Sequence, residues 1–522
     1  MERDITKVLE VLTKDSKYHL NIIIEGLLIG IVSGLIVSFY RFLINSGESI
    51  VFNVISIVKT NVFYTVLWFV ILILMGLFIC YLIKFEGDTA GSGVPQVTGE
   101  VKGYIDANWL KLLFTKTIGG FVSSLGGLSL GREGPSVQLG AMASKGLSKV
   151  LKAPNTDETL FILAGSGAGL AATFNAPIAG LLFTLEEIDH TFNKKVVFVG
   201  LIASVTADFI AKIFFGQSTV FKIASPNIPL DYYWLLIFLG ILLGFAGYLF
   251  NRGLIGASNL WEKYNVPIEL RIVPTFIICG ICGFFIPQIL EGGYSMVNSL
   301  NYLIPGITII LLLLIGKFLL TILSSSSGSP GGIFFPILAI GAYVGALFSA
   351  IAIPLFGLNP TIAYKFIIIS MAGMFASTIR SPITGIILVT EITGSAHTLV
   401  ALAIVSIIAY MIPTILNNDP IYTSLLNNIL KKRNQHKYED SSKPILANYT
   451  VPLSSSCENR KLNDIPLPDT ILVISIIRDD NYIIPDEDTV LKYGDELYIL
   501  MESGRFSKDN RKIEKIIYDG KV

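Results

Sequence analysis

The chain has 522 residues, of which 52% are hydrophobic and only 15% charged, a balance that excludes an ordinary soluble globule and indicates an integral membrane protein. Its 39 basic and 39 acidic residues cancel, so the charge gives no support for nucleic-acid binding. The four cysteines lack the spacing of a disulfide framework or a zinc site, and neither a metal nor a cofactor is expected.

The stretch from Met1 to Leu20 mixes charges of both signs and has no small-residue cleavage site, so we expect a cytosolic amino terminus and no signal peptide. Apolar runs long enough to cross ~30 Å of hydrocarbon then recur. They lie at 21–45, 63–83, 197–215, 233–251, 270–290, 303–324 and 397–416. Other runs are interrupted by glycine, proline or charge, which is tolerated only where the backbone is buried in protein or lines a cavity. These lie at 108–150, 159–189, 331–356 and 365–393.

Two glycine–proline breaks in the first half carry polar side chains. In the first, the Ser92 hydroxyl could donate to an anion, although the run alone is an unspecific turn signal. The second puts Arg132 and Glu133 inside an apolar region, where an ionisable side chain costs at least ~2.5–3.5 kcal/mol and is normally retained on an ion or proton path. The two breaks consist of Gly91, Ser92, Gly93, Val94, Pro95 and of Gly131, Arg132, Glu133, Gly134, Pro135.

The second break also predicts a helix start. Proline suits the first turn of a helix, and the free N–H groups there lie at the positive end of the helix dipole. A helix start at membrane depth is an anion site. The alternative is a surface loop between two spans, where charge and Gly-Pro are ordinary.

An acidic pair, Glu186 and Glu187, closes the apolar run that begins at Phe161. Both could be solvated acids at a helix end. However, acid at a helix C-terminus opposes the dipole, and adjacent residues on a helix face different directions. One of the two is therefore predicted to point into the protein.

The chain contains its own duplicate. Lys116 precedes Pro135 by the same interval as Lys317 precedes Pro336. At that spacing Ser123, Ser124, Gly127, Gly131, Gly140 and Ala141 fall on Ser324, Ser325, Gly328, Gly332, Gly341 and Ala342. At a slightly larger spacing Thr173, Pro177, Ile178, Gly180 and Glu186 fall on Thr378, Pro382, Ile383, Gly385 and Glu391. Repeats of roughly two hundred residues suggest a duplicated membrane half, with broken helices that meet at the midplane.

The duplicate makes the charged break more informative. Its equivalent in the second half reads Gly332, Ile333, Phe334, Phe335, Pro336, so two helix starts are expected to converge. Only the first supplies a carboxylate, which makes Glu133 the asymmetric, movable element. Small residues that let membrane helices approach would explain many of the glycines by packing alone, but not the glutamate.

Past the last apolar run, Tyr422 is either a hydrogen-bond donor to a partly buried site or an interfacial anchor. Lys431, Lys432 and Arg433 favour a cytosolic carboxyl terminus. The predicted domains are a transmembrane part at 1–435, with halves at about 20–215 and 230–430, a linker at 436–443, and a small α+β cytosolic domain at 444–522. Strands are predicted at Thr470–Arg478, Tyr482–Ile484 and Leu497–Met501, with turns at Asp479–Asn481 and Gly494–Glu496.

The three glycine–proline breaks, in this order, resemble the signature loops of the CLC chloride channels and proton/chloride exchangers, over roughly residues 20–430. The resemblance implies an all-α, multi-pass, inverted-repeat subunit of broken helices, paired as a homodimer in the cell membrane. The run from Ile484 to Asp495 resembles the C-terminal (TrkA-C-like) subdomain of potassium-conductance regulators, which implies a regulatory tail whose ligand is unknown. No glycine-rich phosphate loop supports nucleotide binding.

The resemblance also implies roles for individual residues. Chloride would be held by Ser92, the amides of Ile333 and Phe334, and the Tyr422 hydroxyl; serine at 92 resembles members that prefer chloride to nitrate or fluoride. Glu133 would be the gating glutamate and Glu187 the internal proton glutamate of the exchangers. The sequence departs from the family at Gln96-Val97-Thr98, where many exchangers have acidic residues. The resemblance therefore does not specify the route by which protons reach Glu187 from the cytosol.

The leading hypothesis is proton-coupled chloride exchange. A passive chloride channel is the alternative, and Glu187 argues against it because channels usually have an apolar residue there. The tail alone suggests a potassium transport protein, but no Thr-Val-Gly-Tyr-Gly filter is present. An intramembrane hydrolase has little support from four histidines without a His-Glu-x-x-His motif, so the chain is not expected to be an enzyme.

Overall fold

A computed structural model describes most of the chain. The described residues are 2–153, 155–190, 192–221, 228–434, 444–452, 455–468, 471–478, 481–502, 512–513 and 516–517. They fall into two compact units, Met1–Asn428 and Ile429–Val522. The linker expected at 436–443 and the turn residues Asp479 and Asp480 lie outside the described residues.

The described residues up to 434 are helical, apart from the connections between helices. Its helices are α1 (Glu2–Val58), α2 (Val62–Phe85), α3 (Val94–Val101), α4 (Trp109–Leu125), α5 (Glu133–Val150), α6 (Asn155–Phe174), α7 (Pro177–Phe183), α8 (Lys194–Phe215), α9 (Trp234–Lys263), α10 (Ile268–Phe285), α11 (Tyr294–Ser299), α12 (Ile307–Ser326), α13 (Phe334–Phe356), α14 (Ala363–Ile379), α15 (Pro382–Thr393), α16 (Leu399–Ile415) and α17 (Ile421–Asn434). A π-helical turn, Thr184–Asp189, extends α7.

Nine helical segments among the described residues are long and apolar enough to cross a membrane. They are Ile22–Val58, Val62–Phe85, Lys194–Phe215, Trp234–Lys263, Ile268–Phe285, Ile307–Ser326, Phe334–Phe356, Pro360–Ile379 and Ala396–Ile415. Each continuous apolar run predicted from the sequence overlaps one of these segments. The multi-pass, all-α prediction is therefore confirmed.

The interrupted runs are broken at loops or turns between helices. The run 108–150 divides where α4 ends and α5 begins, and the run 331–356 breaks at its start, before Phe334. The run 159–189 divides at Asn175 and the run 365–393 at Arg380, both in the left-handed conformation, with φ of 54° and 78°. Their matching positions before α7 and α15 repeat the same turn in each half.

The two halves meet at their equivalent breaks. Gly131 and Gly332 pair their backbones in both directions, each N–H donating to the other's carbonyl at 2.6 Å. A Cβ on Gly332 would lie 2.8 Å from the Gly134 nitrogen, so this close approach requires glycine. The helix starts of α5 and α13 therefore converge, as the duplicated sequence predicts.

A buried lysine supports the corresponding loop in each half. Lys116 Nζ donates to the carbonyls of Thr89 and Gly91 at 3.0 and 2.8 Å, while Lys317 Nζ donates to Ile289 at 3.1 Å and to Glu291. Both lysines are fully buried. Charge-assisted hydrogen bonds to carbonyls hold the loop that precedes the short helix of each repeat.

The second unit contains a four-stranded antiparallel sheet in the order β1-β4-β2-β3, with β1 Pro444–Thr450, β2 Ile471–Arg478, β3 Asn481–Ile483 and β4 Glu496–Glu502. The three strands predicted from the sequence correspond to β2, β3 and β4. The first strand was missed, because Ala447 and Asn448 are poor strand formers in a run that follows a polar linker.

The small sheet packs its apolar residues into one core, and a buried ion pair lies beside this core. Its buried residues include Val451, Ile476 and Ile499. Arg478 makes a bidentate pair with the buried carboxylate of Asp495, at 2.7 Å for both Nε–Oδ1 and Nη2–Oδ2. The unit thus has the small core expected of a separate domain.

Candidate anion and proton site

The candidate anion ligands and the gating glutamate lie at four helix starts. Ser92 comes two residues before α3, Glu133 opens α5, Ile333 and Phe334 open α13, and Tyr422 is in the first turn of α17. The first N–H groups of a helix have no partner inside it and lie at the positive end of its dipole. These starts can therefore stabilise negative charge.

Close packing brings the first three starts together. A Cβ on Gly134 would collide with the Ser92 hydroxyl and lie 3.2 Å from the Gly332 Cα. Gly93 has φ of 101°, a conformation that favours glycine, and Pro95 lies in the first turn of α3. Pro135 and Pro336 lie in the first turns of α5 and α13.

Two buried hydroxyls face this meeting point. Ser92 is 6% exposed and Tyr422 is 2% exposed. The two hydroxyls are close neighbours, but among the described residues neither makes a hydrogen bond that meets both the distance and the angle requirements. A buried hydroxyl without a partner costs free energy, so both groups are donors available to a bound anion.

Glu133 is almost completely buried, at 1% exposure, and its Oε2 has no hydrogen-bond partner within the described part of the chain. The carboxyl group folds back toward Gly131 and interacts with the backbone of Phe335, at the start of α13. Arg132 donates to Asn45, and its positive charge acts on the Glu133 carboxyl group. Glu133 thus occupies the dipole field of both helices.

Glu187 is the member of the acidic pair that points into the protein. It lies in the π-helical turn, is 5% exposed, and accepts a hydrogen bond from the Ser381 hydroxyl at 2.7 Å. The charge of exposed Lys102 also acts on it. Sequence reasoning missed Ser381, although its position just before Pro382, in the turn that repeats the one before Pro177, marked it as part of the duplicate.

Glu186 and its duplicate Glu391 have a different, reciprocal role. Glu186 accepts from the amides of Ile383 and Thr384 at 3.2 and 2.8 Å, at the start of α15. Glu391 accepts from Ile178 and Ala179 at 3.2 and 2.8 Å, at the start of α7. Each half therefore caps a helix of the other.

The segment that departs from the exchanger pattern is buried. Gln96 donates to the Ala90 carbonyl at 2.7 Å, and Thr98 Oγ1 donates to the Val94 carbonyl at 3.2 Å. Both side chains are therefore used inside or just before α3. Lys102, one turn further on, is the charged group of this stretch that acts on Glu187.

The structure brings Ser92, Glu133 and Tyr422 together. The Tyr422 hydroxyl neighbours Ser92 and lies within electrostatic range of both Glu133 and Glu187. Phe334 is packed by Phe375, Phe174 and Phe183, with ring centroids 4.6, 5.6 and 5.5 Å away. This aromatic cluster fixes the start of α13.

A duplicated, multi-pass membrane protein with broken helices converging on a buried polar centre is typical of ion transport proteins. The profile of the family described as voltage gated chloride channel matches residues 75–414, and that of the TrkA-C domain matches residues 446–508. The chain is 32% identical over 454 residues to the H(+)/Cl(−) exchange transporter ClcA of Vibrio cholerae. The aligned region covers 83% of this chain and 94% of that protein.

Solved structures agree with the family match. A slow cyanobacterial Cl−/H+ antiporter superposes with a TM-score of 0.75 at 29% identity, over 79% of this chain and 99% of that one. A CLC-type fluoride/proton antiporter has the same fold, with a TM-score of 0.65 at 22% identity, over 78% and 97% of the two chains. The protein belongs to the voltage gated chloride channel (CLC) family and carries a C-terminal TrkA-C domain. Family membership confirms the expectation that it is not an enzyme.

Proposed function

We propose that this protein exchanges chloride for protons across a membrane. The proposal rests on two buried carboxyl groups, Glu133 and Glu187, that both lie within electrostatic range of the Tyr422 hydroxyl. Carboxyl groups buried in a membrane protein are typical of proton relays. The similarity to curated H(+)/Cl(−) exchangers and to a solved Cl−/H+ antiporter supports the same function.

The proposed chloride ligands are neutral donors. They are the hydroxyls of Ser92 and Tyr422, which lack other partners among the described residues, and the amides of Ile333 and Phe334 at the start of α13. Neutral donors and helix dipoles suit transport, since binding must be favourable enough for entry and weak enough for exit. A full positive charge in contact with the ion would trap it.

Coupling follows from competition for this site. The Glu133 carboxylate is stabilised by the same helix starts that would stabilise chloride, and one site cannot hold both anions. When Glu133 takes up a proton it loses that attraction and leaves, so that chloride enters. Proton binding and chloride binding at the centre are thereby linked.

Glu187 is the proposed inner proton carrier. It is buried, held in orientation by Ser381, and electrostatically close to exposed Lys102. A proton leaving Glu133 is transferred by way of the Tyr422 region to the Glu187 carboxylate, and then to the aqueous side near α3. A passive chloride channel is the alternative, and it has no use for a buried, oriented carboxyl group at this position.

Proteoliposomes decide between exchange and passive flow. The purified chain is reconstituted with a chloride gradient and no pH gradient, and external chloride and pH are recorded together. Exchange predicts that the chloride gradient drives protons across the membrane and builds up a pH gradient, and that this movement stops when the chloride gradient is removed. Chloride efflux without any linked pH change would replace the exchanger proposal with the channel.

We also propose that the protein is a homodimer with both termini in the cytosol of the cell. The dimer is supported by the family fold, and the orientation by Lys431, Lys432 and Arg433 after the last span. Measuring the mass of the detergent-solubilised protein by light scattering tests the dimer. Labelling of single cysteines at each end of the chain in intact cells tests the orientation.

The tail is proposed to regulate a transport domain that spans residues 1–435. Its own sheet and core at 444–502 support independent folding, and the TrkA-C match supports a sensing role. A chain that stops after Gln435 retains every apolar segment and both repeats. It is expected to insert and to exchange chloride for protons; loss of transport in a correctly inserted truncated chain would mean that the tail is structural.

A further inference from the structure

A third buried carboxyl group, Glu291, lies in an unusual backbone conformation. Its φ is 56°, in the left-handed region that strains L-residues and suits glycine. The equivalent loop position in the first half is Gly91, with φ of 66°, whose carbonyl is also held by that half's buried lysine. Glycine thus fits this position, and the second half retains a glutamate there despite the strain. Strained residues kept in this way cluster at functional sites.

Only one of the two carboxyl oxygens of Glu291 accepts a hydrogen bond within the described part of the chain. Glu291 is 3% exposed, and Oε2 accepts from the Ser124 hydroxyl at 3.1 Å. Its Oε1 has no hydrogen-bond partner within the described residues. The nearby Lys317 ammonium donates to backbone carbonyls, including that of Glu291 itself, and among the described residues it forms no ion pair with the Glu291 carboxylate. A buried carboxyl group with one free oxygen is well suited to carry a proton.

Charged and titratable groups on several elements face Glu291. Glu48 of α1 has the largest charge effect on it, and Lys317 of α12 opposes that effect. Cys279 of α10 is also within electrostatic range. Tyr40 of α1 lies within electrostatic range of Glu133, Arg132 and Glu291.

A small cavity joins Glu291 to the residues just before the gating glutamate, Gly131 and Arg132, here called the gate loop. Its volume is ≈ 10 Å³, about the lower limit for one water molecule. Tyr40, Ser124, Gly131, Arg132 and Glu291 are among its lining residues. The loops also touch directly, since a Cβ on Gly292 would lie 3.7 Å from the Gly131 Cα. Polar groups on several sides give a water there the partners that it needs.

We propose that Glu291 is a third proton-binding group, which supplies Glu133 by way of this cavity. The inference rests on the proposed exchange function. The proton leaves a Glu291 carboxyl oxygen for the cavity water, which passes one of its own protons to the Glu133 carboxylate, whose Oε2 lies beside the lining residue Gly131. Glu291 becomes a carboxylate and is reprotonated through half-buried Glu48, which acts on both Glu291 and Glu133.

The test is chloride-driven proton pumping by full-length Glu291→Gln in proteoliposomes. Positioned proton transfer contributes about 10²–10⁴-fold to rates, so pumping should fall at least about tenfold when the carboxyl group is removed. Glu269→Gln, at a partly exposed salt bridge with Lys84, is the matched control and should pump like the unmodified protein. Glu291→Gly relieves the strain while also removing the carboxyl group; it should show the same defect with equal or higher thermal stability.

A double variant separates proton supply from folding. Glu133→Gln removes the gate carboxylate, so adding Glu291→Gln should not further change its chloride flux. A further loss of chloride flux, or unimpaired pumping by Glu291→Gln or Glu291→Gly, overturns the proposal. If Glu291→Gln does not fold, Glu291→Gly decides by the same readouts. Absence of pumping in the unmodified protein would refute the exchange function itself, whereas normal pumping in both Glu291 variants refutes only the role of Glu291.

Discussion

The two halves of the membrane unit share their scaffold and differ in their chemistry. Lys116 and Lys317 hold equivalent loops, and Glu186 and Glu391 cap equivalent helices. At the converging helix starts, however, the first half has Glu133 where the second half has a phenylalanine, Phe334. Polar residues that occur twice are thus structural, and those that occur once are the candidates for transport.

The same rule separates the acidic pair. Glu186 has a duplicate in Glu391, whereas the position equivalent to Glu187 is Ile392. Glu291 also has no duplicate, since Gly91 stands in its place. Each prediction below either removes a unique residue or removes a duplicated one, so the outcomes test the rule as well as the residue.

The largest effect is expected from the two unique glutamates. Glu133→Gln mimics the protonated gate permanently, so chloride should flow without proton movement and without dependence on pH. Glu187→Gln leaves the gate titratable and removes the inner carrier, so proton movement should vanish while some chloride transport persists. Simultaneous chloride and pH recordings on proteoliposomes distinguish the two patterns.

The two variants contradict the assignment in different ways. Proton pumping that survives in Glu187→Gln would remove Glu187 from the proton route. A steep pH dependence of chloride flux in Glu133→Gln would mean that another group closes the site. Glu186→Gln is the neighbouring control, since its carboxyl group caps a helix and should leave the ratio of chloride to protons unchanged.

A smaller effect is expected from the hydroxyl that has no counterpart. Tyr422→Phe removes one donor to the anion and should weaken chloride binding by about 1.5–3 kcal/mol, the range for a hydrogen bond to a charged group. Isothermal titration calorimetry of the detergent-solubilised protein measures this change. Chloride affinity equal to that of the unmodified protein would exclude Tyr422 from the site.

The glycine contact between the halves should show its importance in stability. Ala at Gly332 would place a Cβ 2.8 Å from the Gly134 nitrogen, and such overpacking costs about 1–3 kcal/mol. Gly256→Ala in α9 is the control, because no atom lies within 4 Å of the added carbon. Thermal unfolding in detergent should therefore separate the two; equal midpoints would mean that the α5–α13 contact adapts freely.

Much of this organisation could be predicted from the sequence because the signals are local. Apolar length predicts the spans, and glycine followed within a few residues by proline marks the breaks near Pro95, Pro135 and Pro336. The repeat then predicts that the breaks meet, which the backbone pairing of Gly131 with Gly332 confirms. Each step needs only the pattern of one segment or a comparison of two.

Long-range side-chain contacts could not be predicted in the same way. Ser381 reaches Glu187 from another helix start, and Glu291 lies beside the gate loop through packing of distant elements. The strand β1 was missed because its pairing with β4 outweighs its weak strand propensity. Such contacts depend on which helix and strand faces pack against each other in the fold, and the pattern of a single sequence does not predict that packing.

The smallest effects are expected from the duplicated caps. In Glu186 and in Glu391 the carboxylate accepts two amide hydrogen bonds at a helix start. Replacing either carboxylate by the neutral amide of glutamine should lower the free energy of unfolding by about 0.5–2 kcal/mol. Glu186 also accepts from the Thr384 hydroxyl at 2.8 Å, so its loss should be slightly larger. Unfolding midpoints in detergent compare the pair. If one variant were far less stable than the other, or if either changed the number of protons moved per chloride, the duplicated residues would not be purely structural and the rule would fail.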